Sequence, residues 1–398
     1  MTARPRVAVL GNMNNNGHNL VRFLRREGVD AHLLFFANEA GHFVPSADSD
    51  GQADYPSRTL SWGGYGQLLT TPAATIREDL REFPFLIGSR LAPAYAQKAG
   101  RRLDIFMPSG GDLHMLPMFS GWAPKDLFKF LIYSRAQRRG IQASRTLFWD
   151  ATNPELEEKI RPVVQGMDRI SHAIPMLYYP DFEGEAFARR RAASSMPQTM
   201  AKLRGDADIL LLHHVKHVWK PATIRHYGLF HDKANDELVR GLARYYAGNP
   251  AKQVRLVMVR FGTDYDDTAA LAEELGVAEH IAWLPQMPRK ELMIAIGEAD
   301  AVVGEVARSW FSYGTIFEAM VMKKAVLHHR DDALYPDKEL YPMLSIHDGE
   351  SFAHQLDRIA RGEVDLVGMG EASHRWLMDY GFGGGIREIL ARIDQAST

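Results

Sequence analysis

The sequence predicts an α/β protein built from two doubly wound, Rossmann-like domains facing a central cleft. Three observations carry this reading. Short, wholly apolar runs recur as buried parallel strands, helix-period segments alternate with them in both halves, and loops rich in Gly, Asn and Ser follow several strands. At 398 residues the chain also exceeds the size at which a single core keeps growing.

In the first half, Val7-Ala-Val-Leu10 reads as a buried strand, Gly11 to Gly17 as a turn-rich loop, and His18 to Glu27 as an amphipathic helix closed by Gly28. Ala31 to Phe36 is the next strand. Residues 38–75 lack periodicity and read as an irregular insertion. Leu103 to Met107 is a strand ending in Pro108-Ser-Gly-Gly-Asp-Leu-His114. Lys125 to Arg139 reads as a basic amphipathic helix, Thr146 to Trp149 as a strand, and Ile174 to Tyr179 as the last strand of this half. Composition changes over Asp181 to Gly205, with Arg189-Arg-Arg191 and Pro197, so an inter-domain linker is placed there.

The second half alternates more regularly. Strands are expected at 208–212, 254–259, 281–284, 301–304 and 325–327, with helices at 236–247, 268–275, 290–297 and 314–322 between them. The tail, Gly381 to Ile393, reads as a glycine hinge leading into an amphipathic helix. The expected division is residues 1–185, 186–375 and a C-terminal helix, 376–398, returning toward the first domain.

Composition excludes several classes. With no cysteine there are no disulfides, thiolate nucleophiles or thiolate metal sites. A formal charge of -2 gives no field to draw in nucleic acid. No apolar run approaches the roughly 20 residues of a membrane span, and no signal-peptide core opens the chain. A soluble, cytoplasmic protein is expected. The basic stretches 125–139 and 189–191 permit peripheral contact with the anionic inner face of a membrane, although such stretches are more often solvated helix faces.

In parallel sheets, ligands sit where strand C-termini meet helix N-termini, because free amides and the helix dipole favour anions there. Gly11 to Gly17 is such a loop, open both to ligand approach at Gly17 and to a plain turn with left-handed asparagines. Phe261-Gly262-Thr263-Asp264 follows a strand of the second half. Ser312-Tyr313-Gly314-Thr315 starts the helix carrying Glu318, and its amides suit a diphosphate. Glu318 suits the paired hydroxyls of a ribose, and equally a capping box with Thr315. Lys216, Lys220 and Lys233 surround a strand end and suit a departing diphosphate, or plain surface charge. His213, His214 and His217 lie on an extended run with no adjacent acid, which argues against a metal site. Asp112 and His114 stand at a strand-end rim of the first half, where His114 could touch a reacting sugar.

Taken together, Lys233-Ala-Asn-Asp236, the strand running to Gly262, Leu271 to Val277, Ile281-Ala-Trp-Leu-Pro-Gln286, Ala299 to Val303, Phe317-Glu-Ala-Met320 and Ala325 to Leu327 are ordered elements that resemble the retaining, family-4-type glycosyltransferases of the GT-B fold. The resemblance covers about residues 208–350. It implies a UDP- or GDP-sugar donor bound by the second domain and a glycan, lipid-linked glycan or small-molecule acceptor bound by the first. It further implies Glu318 on the ribose, Trp283 and Leu284 along the base, Lys233 at the diphosphate, retention of anomeric configuration, and no required metal or cofactor. Two positions depart from the family pattern. Trp310 stands where a sugar-contacting glutamate is usual, with Glu305 the carboxylate that would take its place, and Ala234 replaces a glycine. A nucleotide-sugar epimerase and a catalytically inactive nucleotide-sugar-binding subunit are the alternative functions.

Overall fold

The computed structural model describes residues 4–37, 39, 44–49, 54–119, 127, 128, 130–150, 153–248 and 250–397. The chain forms two compact units. One comprises Met1–Tyr178 with Met378–Thr398, and the other is Tyr179–Leu377.

Among the described residues, the first unit holds seven strands: β1 (Val7–Leu10), β2 (Ala31–Phe35), β3 (Ser57–Thr59), β4 (Phe85–Gly88), β5 (Ile105–Phe106), β6 (Thr146–Phe148) and β7 (Asp168–Ile170). Their order is β3-β2-β1-β4-β5-β6-β7, every pair parallel. The second unit holds β8 (Ile209–His213), β9 (Val254–Val259), β10 (Ile281–Leu284), β11 (Ala301–Val303), β12 (Ala325–His328) and β13 (Leu344–Ser345). Their order is β10-β9-β8-β11-β12-β13, again all parallel. In each sheet the first strand lies inside and the order reverses beside it, between β1 and β4 and between β8 and β11. Such reversals are where a doubly wound sheet opens a crevice at its strand C-termini.

The composition of the inner strands explains their place. β1 (VAVL) and β8 (ILLLH) are buried along their whole length, as strands covered by helices on both faces must be. Around β8, Leu238, Val239 and Leu242 of helix Asn235–Ala247 and Phe352 and Leu356 of helix Gly349–Ala360 fill one continuous core.

Several expectations need correction. The 38–75 region is not wholly irregular: β3 pairs with β2, and a helix spans Tyr65–Thr70, while residues 38, 40–43 and 50–53 lie outside the described residues. β4 (FLIG) is a fully buried strand without alternation, indistinguishable by pattern from a helix fragment. The last strand of the first half is Asp168–Ile170, not 174–179, where Pro175 and Pro180 break the ladder. Of the basic helix expected at 125–139, residues 125, 126 and 129 lie outside the described residues, and the remainder continues as a π-helical turn, Phe130–Ser134, into helix Arg135–Ala143. The expected linker is helical, Gly184–Ala193 and Met196–Arg204, and belongs to the second unit. There Arg204 forks onto Asp300 at 2.8 and 3.0 Å.

The glycines of the tail are not a hinge. Helix Gly383–Gln395 starts with them, and they are its contact face. A Cβ on Gly384 would come within 2.5 Å of the His172 ring, and one on Gly385 within 2.7 Å of Phe148.

Candidate functional site

The crevice of the second sheet is built from the ends of β8 and β11. His213, the last residue of β8, is fully buried. Its Nδ1 lies 2.9 Å from the Val303 carbonyl and its Nε2 2.9 Å from Asn235 Nδ2. A carbonyl only accepts and an amide nitrogen only donates, so the ring carries its proton on Nδ1 and is neutral. Burial accordingly depresses its pKa to about 3, with His217 nearby adding to the shift. Asn235 Oδ1 in turn accepts from Val218 N at 3.0 Å. This chain ties β8, β11 and the start of helix Asn235–Ala247 together and fixes the loop carrying Lys233. Ala234 adopts φ +47°, the left-handed region that favours glycine, which is why glycine suits that position in the family pattern.

Glu318 lies on helix Gly314–Val321, whose N-cap is Tyr313, without a side-chain cap bond. The capping box with Thr315 therefore does not form. The carboxylate instead takes two side chains: His214 Nε2 lies 2.7 Å from Oε2, and Arg289 Nε donates to Oε1 at 2.9 Å. Burial pushes its pKa upward, but the His214 bond and the Arg289 charge outweigh that and hold it below the usual carboxylate range. The acid is thus ionised and oriented at the crevice, with only 12% of its side chain exposed.

Lys233 reaches Glu305 at 2.7 Å, forming an ion pair just past the end of β11. Tyr313 is a strut: its phenol oxygen accepts from Glu305 N at 2.6 Å and sits where a Cβ on Gly304 would clash, and burial raises its pKa well above the ordinary value. Gly314 and Thr315 occupy the first helical positions and are half-buried.

The other lysines have partners of their own, although Lys216, like Lys233, stands near His231. Lys216 Nζ lies 4.9 Å from the centre of the Tyr227 ring. Lys220 pairs with Asp267 at the surface, 2.5 Å away. Gly262 has φ +123°, and a Cβ there would fall 2.4 Å from both N and O of His217, with which it forms a parallel bridge. Its missing side chain makes room for protein backbone. Gly262→Ala should therefore lower stability by about 2–4 kcal/mol through φ strain and overpacking, read as a fall in the urea midpoint. Thr263 is exposed in the following turn. Leu284 is 2% exposed and belongs to the core. Trp283 packs its ring against His217 and Tyr265, with centroids 5.6 and 5.1 Å apart.

In the first unit, the loop before Gly17 has the left-handed asparagines expected of a turn: Asn14 and Asn15 take φ of 50° and 61°, and Asn12 Oδ1 accepts from His18 N at 2.7 Å. Gly17 packs tightly, since a Cβ would meet the Gly11 carbonyl at 2.4 Å. Asp112 accepts from the amides of Arg90 (2.7 Å) and Ser109 (2.9 Å). Burial raises its pKa to about 6, against the pull of those bonds. His114 ends the same short helix and is half-buried. A cavity of about 380 Å³ between Asp104, Arg145, Asp168 and Arg392 lies at the N-terminal ends of β5, β6 and β7.

The structure thus brings Lys233, Tyr313, Gly314, Thr315 and Glu318 to one crevice. It adds His214, Arg289 and Asn235, to which sequence reasoning gave no site role. A histidine pair in an extended run does signal that one ring faces in and the other reaches the strand end, but its acidic partner, Glu318, lies 104 residues away. Trp310 carries no carboxylate to the crevice; its backbone amide donates to the His329 carbonyl. Among the described residues no group of three or more His, Asp or Glu is placed to hold a metal ion.

No protein-family model matches the chain, and no curated protein matches it in sequence. Solved structures do match. A glycosyltransferase from Rickettsia africae is 13% identical with a TM-score of 0.64, covering 99% of this chain and 98% of that one. HepE from Anabaena, solved with UDP-glucose, is 13% identical with a TM-score of 0.63, covering 98% and 100%. Sucrose-phosphate synthase from Thermosynechococcus elongatus is 12% identical with a TM-score of 0.58, covering 98% of each chain. The fold of this chain is that of the GT-B glycosyltransferases.

Proposed function

With the GT-B fold as premise, we propose that the protein is a glycosyltransferase that moves a sugar from a nucleoside-diphosphate donor to a hydroxyl acceptor. The second unit holds the donor and the first the acceptor. The observation that carries this reading is Glu318: a helix-borne carboxylate, ionised and held at the strand-order reversal by His214 and Arg289 instead of capping its helix. In that place it accepts the two ribose hydroxyls, while the Gly314 and Thr315 amides and Lys233 meet the diphosphate. The UDP-glucose seen on HepE makes UDP-sugars the first donors to try.

The protein's contribution to rate is positioning and stabilisation of charge on the departing diphosphate. The acceptor oxygen attacks the anomeric carbon on the face from which the diphosphate leaves, and the diphosphate takes the acceptor's proton. Configuration is retained and no metal is needed. The acceptor is a glycan, a lipid-linked glycan or a small molecule. Asp112 and His114 are the groups of the first unit assigned to its side of the reaction.

A thermal-shift panel of UDP, GDP and their sugars tests the donor site, because a ligand that binds only the folded state raises its apparent stability. A shift with a sugar nucleotide supports the reading, and no shift with any of them overturns it. Lys233→Gln should weaken UDP binding about tenfold or more, as expected for one charge-assisted bond. Sugar transfer separates this reading from its rivals. Conversion of donor without acceptor would indicate an epimerase, and binding without turnover an inactive subunit.

Leu127, Phe128 and Leu131 are exposed, and Arg135 and Arg139 continue from Leu131 at four-residue spacing. An apolar ridge running into a cationic one suits an anionic lipid surface. Cosedimentation with phosphatidylglycerol vesicles, lost on Leu131→Ser and at high salt, is the expected result.

A further inference from the structure

Glu305 presents a physical problem. Its carboxylate lies 2.7 Å from Lys233 Nζ, and the two side chains are only 12% and 16% exposed. It is also held in place: its amide donates to the Tyr313 phenol at 2.6 Å, and its carbonyl accepts from His329 N at 2.8 Å. A carboxylate fixed against the amine that meets a diphosphate cancels part of that amine's charge and repels the incoming anion. If the site served only to hold a nucleoside diphosphate, this acid would oppose it.

The opposition becomes useful when donor and product are compared. In a sugar nucleotide both phosphates are esterified, and the diphosphate carries two charges. After transfer, the terminal phosphate has lost its ester and can ionise again, with a second pKa of about 6 for phosphate monoesters. The product then carries a third charge, while having lost the sugar hydroxyls that a carboxylate can accept. One fixed negative charge beside the site penalises the product more than the donor.

We propose that Glu305 shifts the preference of the site away from the bare nucleoside diphosphate and toward the sugar-bearing one, so that product leaves more readily and the next donor can enter. This rests on the donor-binding reading above. The charged and titratable groups around Glu305 are Lys233, with Lys216, His231 and Asp232 near it, Arg308 beside Asp232, Tyr313, and His329. Among them only the carboxylates of Glu305 and Asp232 repel an anion, and only the former is paired to Lys233.

The test is calorimetric binding of UDP and UDP-glucose to the full chain, repeated with GDP and GDP-mannose if guanine proves to be the base. In Glu305→Gln, UDP should bind about tenfold tighter or more, as loss of one like charge at short range predicts, while UDP-glucose holds or weakens. If both ligands change equally, the proposal is overturned and the donor site stands. If the unaltered protein binds none of the four, the donor-binding reading fails and takes the proposal with it. A second variant controls for lost packing. Glu305→Asp keeps the charge and should keep the ratio of UDP to UDP-glucose affinity near that of the unaltered protein. A ratio that moves as far as in Glu305→Gln sinks the idea.

Discussion

Replacing Glu318 by alanine is expected to abolish the nucleotide-induced thermal shift and to destabilise the protein at the same time. The Arg289 guanidinium and His214 imidazole keep only 17% and 5% of their side chains exposed, and both lose their bond to this carboxylate. Removing one partner of a buried charged pair costs about 3–5 kcal/mol, because the remaining charge stays desolvated. Glu318→Gln keeps the shape and one acceptor oxygen, so it separates the effects. Its melting temperature should fall less than that of alanine, yet UDP at about a hundredfold its dissociation constant should no longer add the roughly 2.7 kcal/mol it gives the unaltered protein. A full UDP shift in both variants would make Glu318 an anchor for Arg289 and nothing more.

The second large effect is acid lability. His213, His217 and His328 are fully buried, and burial is the leading cause that depresses them, to about 3, about 4 and about 3. His328 Nε2 lies 2.9 Å from the Tyr341 phenol and His217 Nδ1 3.1 Å from Thr268 Oγ1, both partners suited to a neutral ring. In the unfolded chain each imidazole takes a proton at its ordinary value of about 6.5. Below that pH the unfolded state binds more protons than the folded one, so stability falls as pH falls. It is fully present above about pH 6.5 and reduced by about 2 kcal/mol per imidazole at about pH 5. Three such groups total about 6 kcal/mol, a large share of the 5–15 kcal/mol typical of folded domains. Urea midpoints at about pH 8 and about pH 5 measure the loss, and His328→Gln should reduce the slope by about a third. A flat midpoint across that interval would mean that the rings are protonated in place.

The second unit was the more legible in sequence because its strands are short apolar runs set between helices with clear polar faces. β8, β9, β10, β11 and β12 all lie within a residue or two of expectation. In the first unit, β4 and β7 were missed for opposite reasons. Phe85–Gly88 has no alternation to read, and Asp168–Ile170 begins with two charged residues on an edge strand. Two sets of glycines have a packing role that the sequence did not signal. Gly262 and the Gly383–Gly385 run look like ligand loop and hinge, yet each makes room for protein atoms, which local pattern cannot distinguish. Glu318 could be singled out as an acid on an otherwise apolar helix. Its partners could not, because the three residues that meet at the crevice come from positions 214, 289 and 318 and only the sheet order brings them together.

The chain leaves the first unit at Tyr178 and rejoins it at Met378, so that unit is interrupted by 199 intervening residues, 179–377. At about 5–20 residues per second, roughly 10–40 s of synthesis separates the first unit's sheet from its last helix. During that interval Phe148 and His172 wait without the glycine face of Gly383–Gln395 that later covers them. The first sheet therefore stays incompletely covered until the end of synthesis, while the intervening segment, continuous in sequence, can mature first.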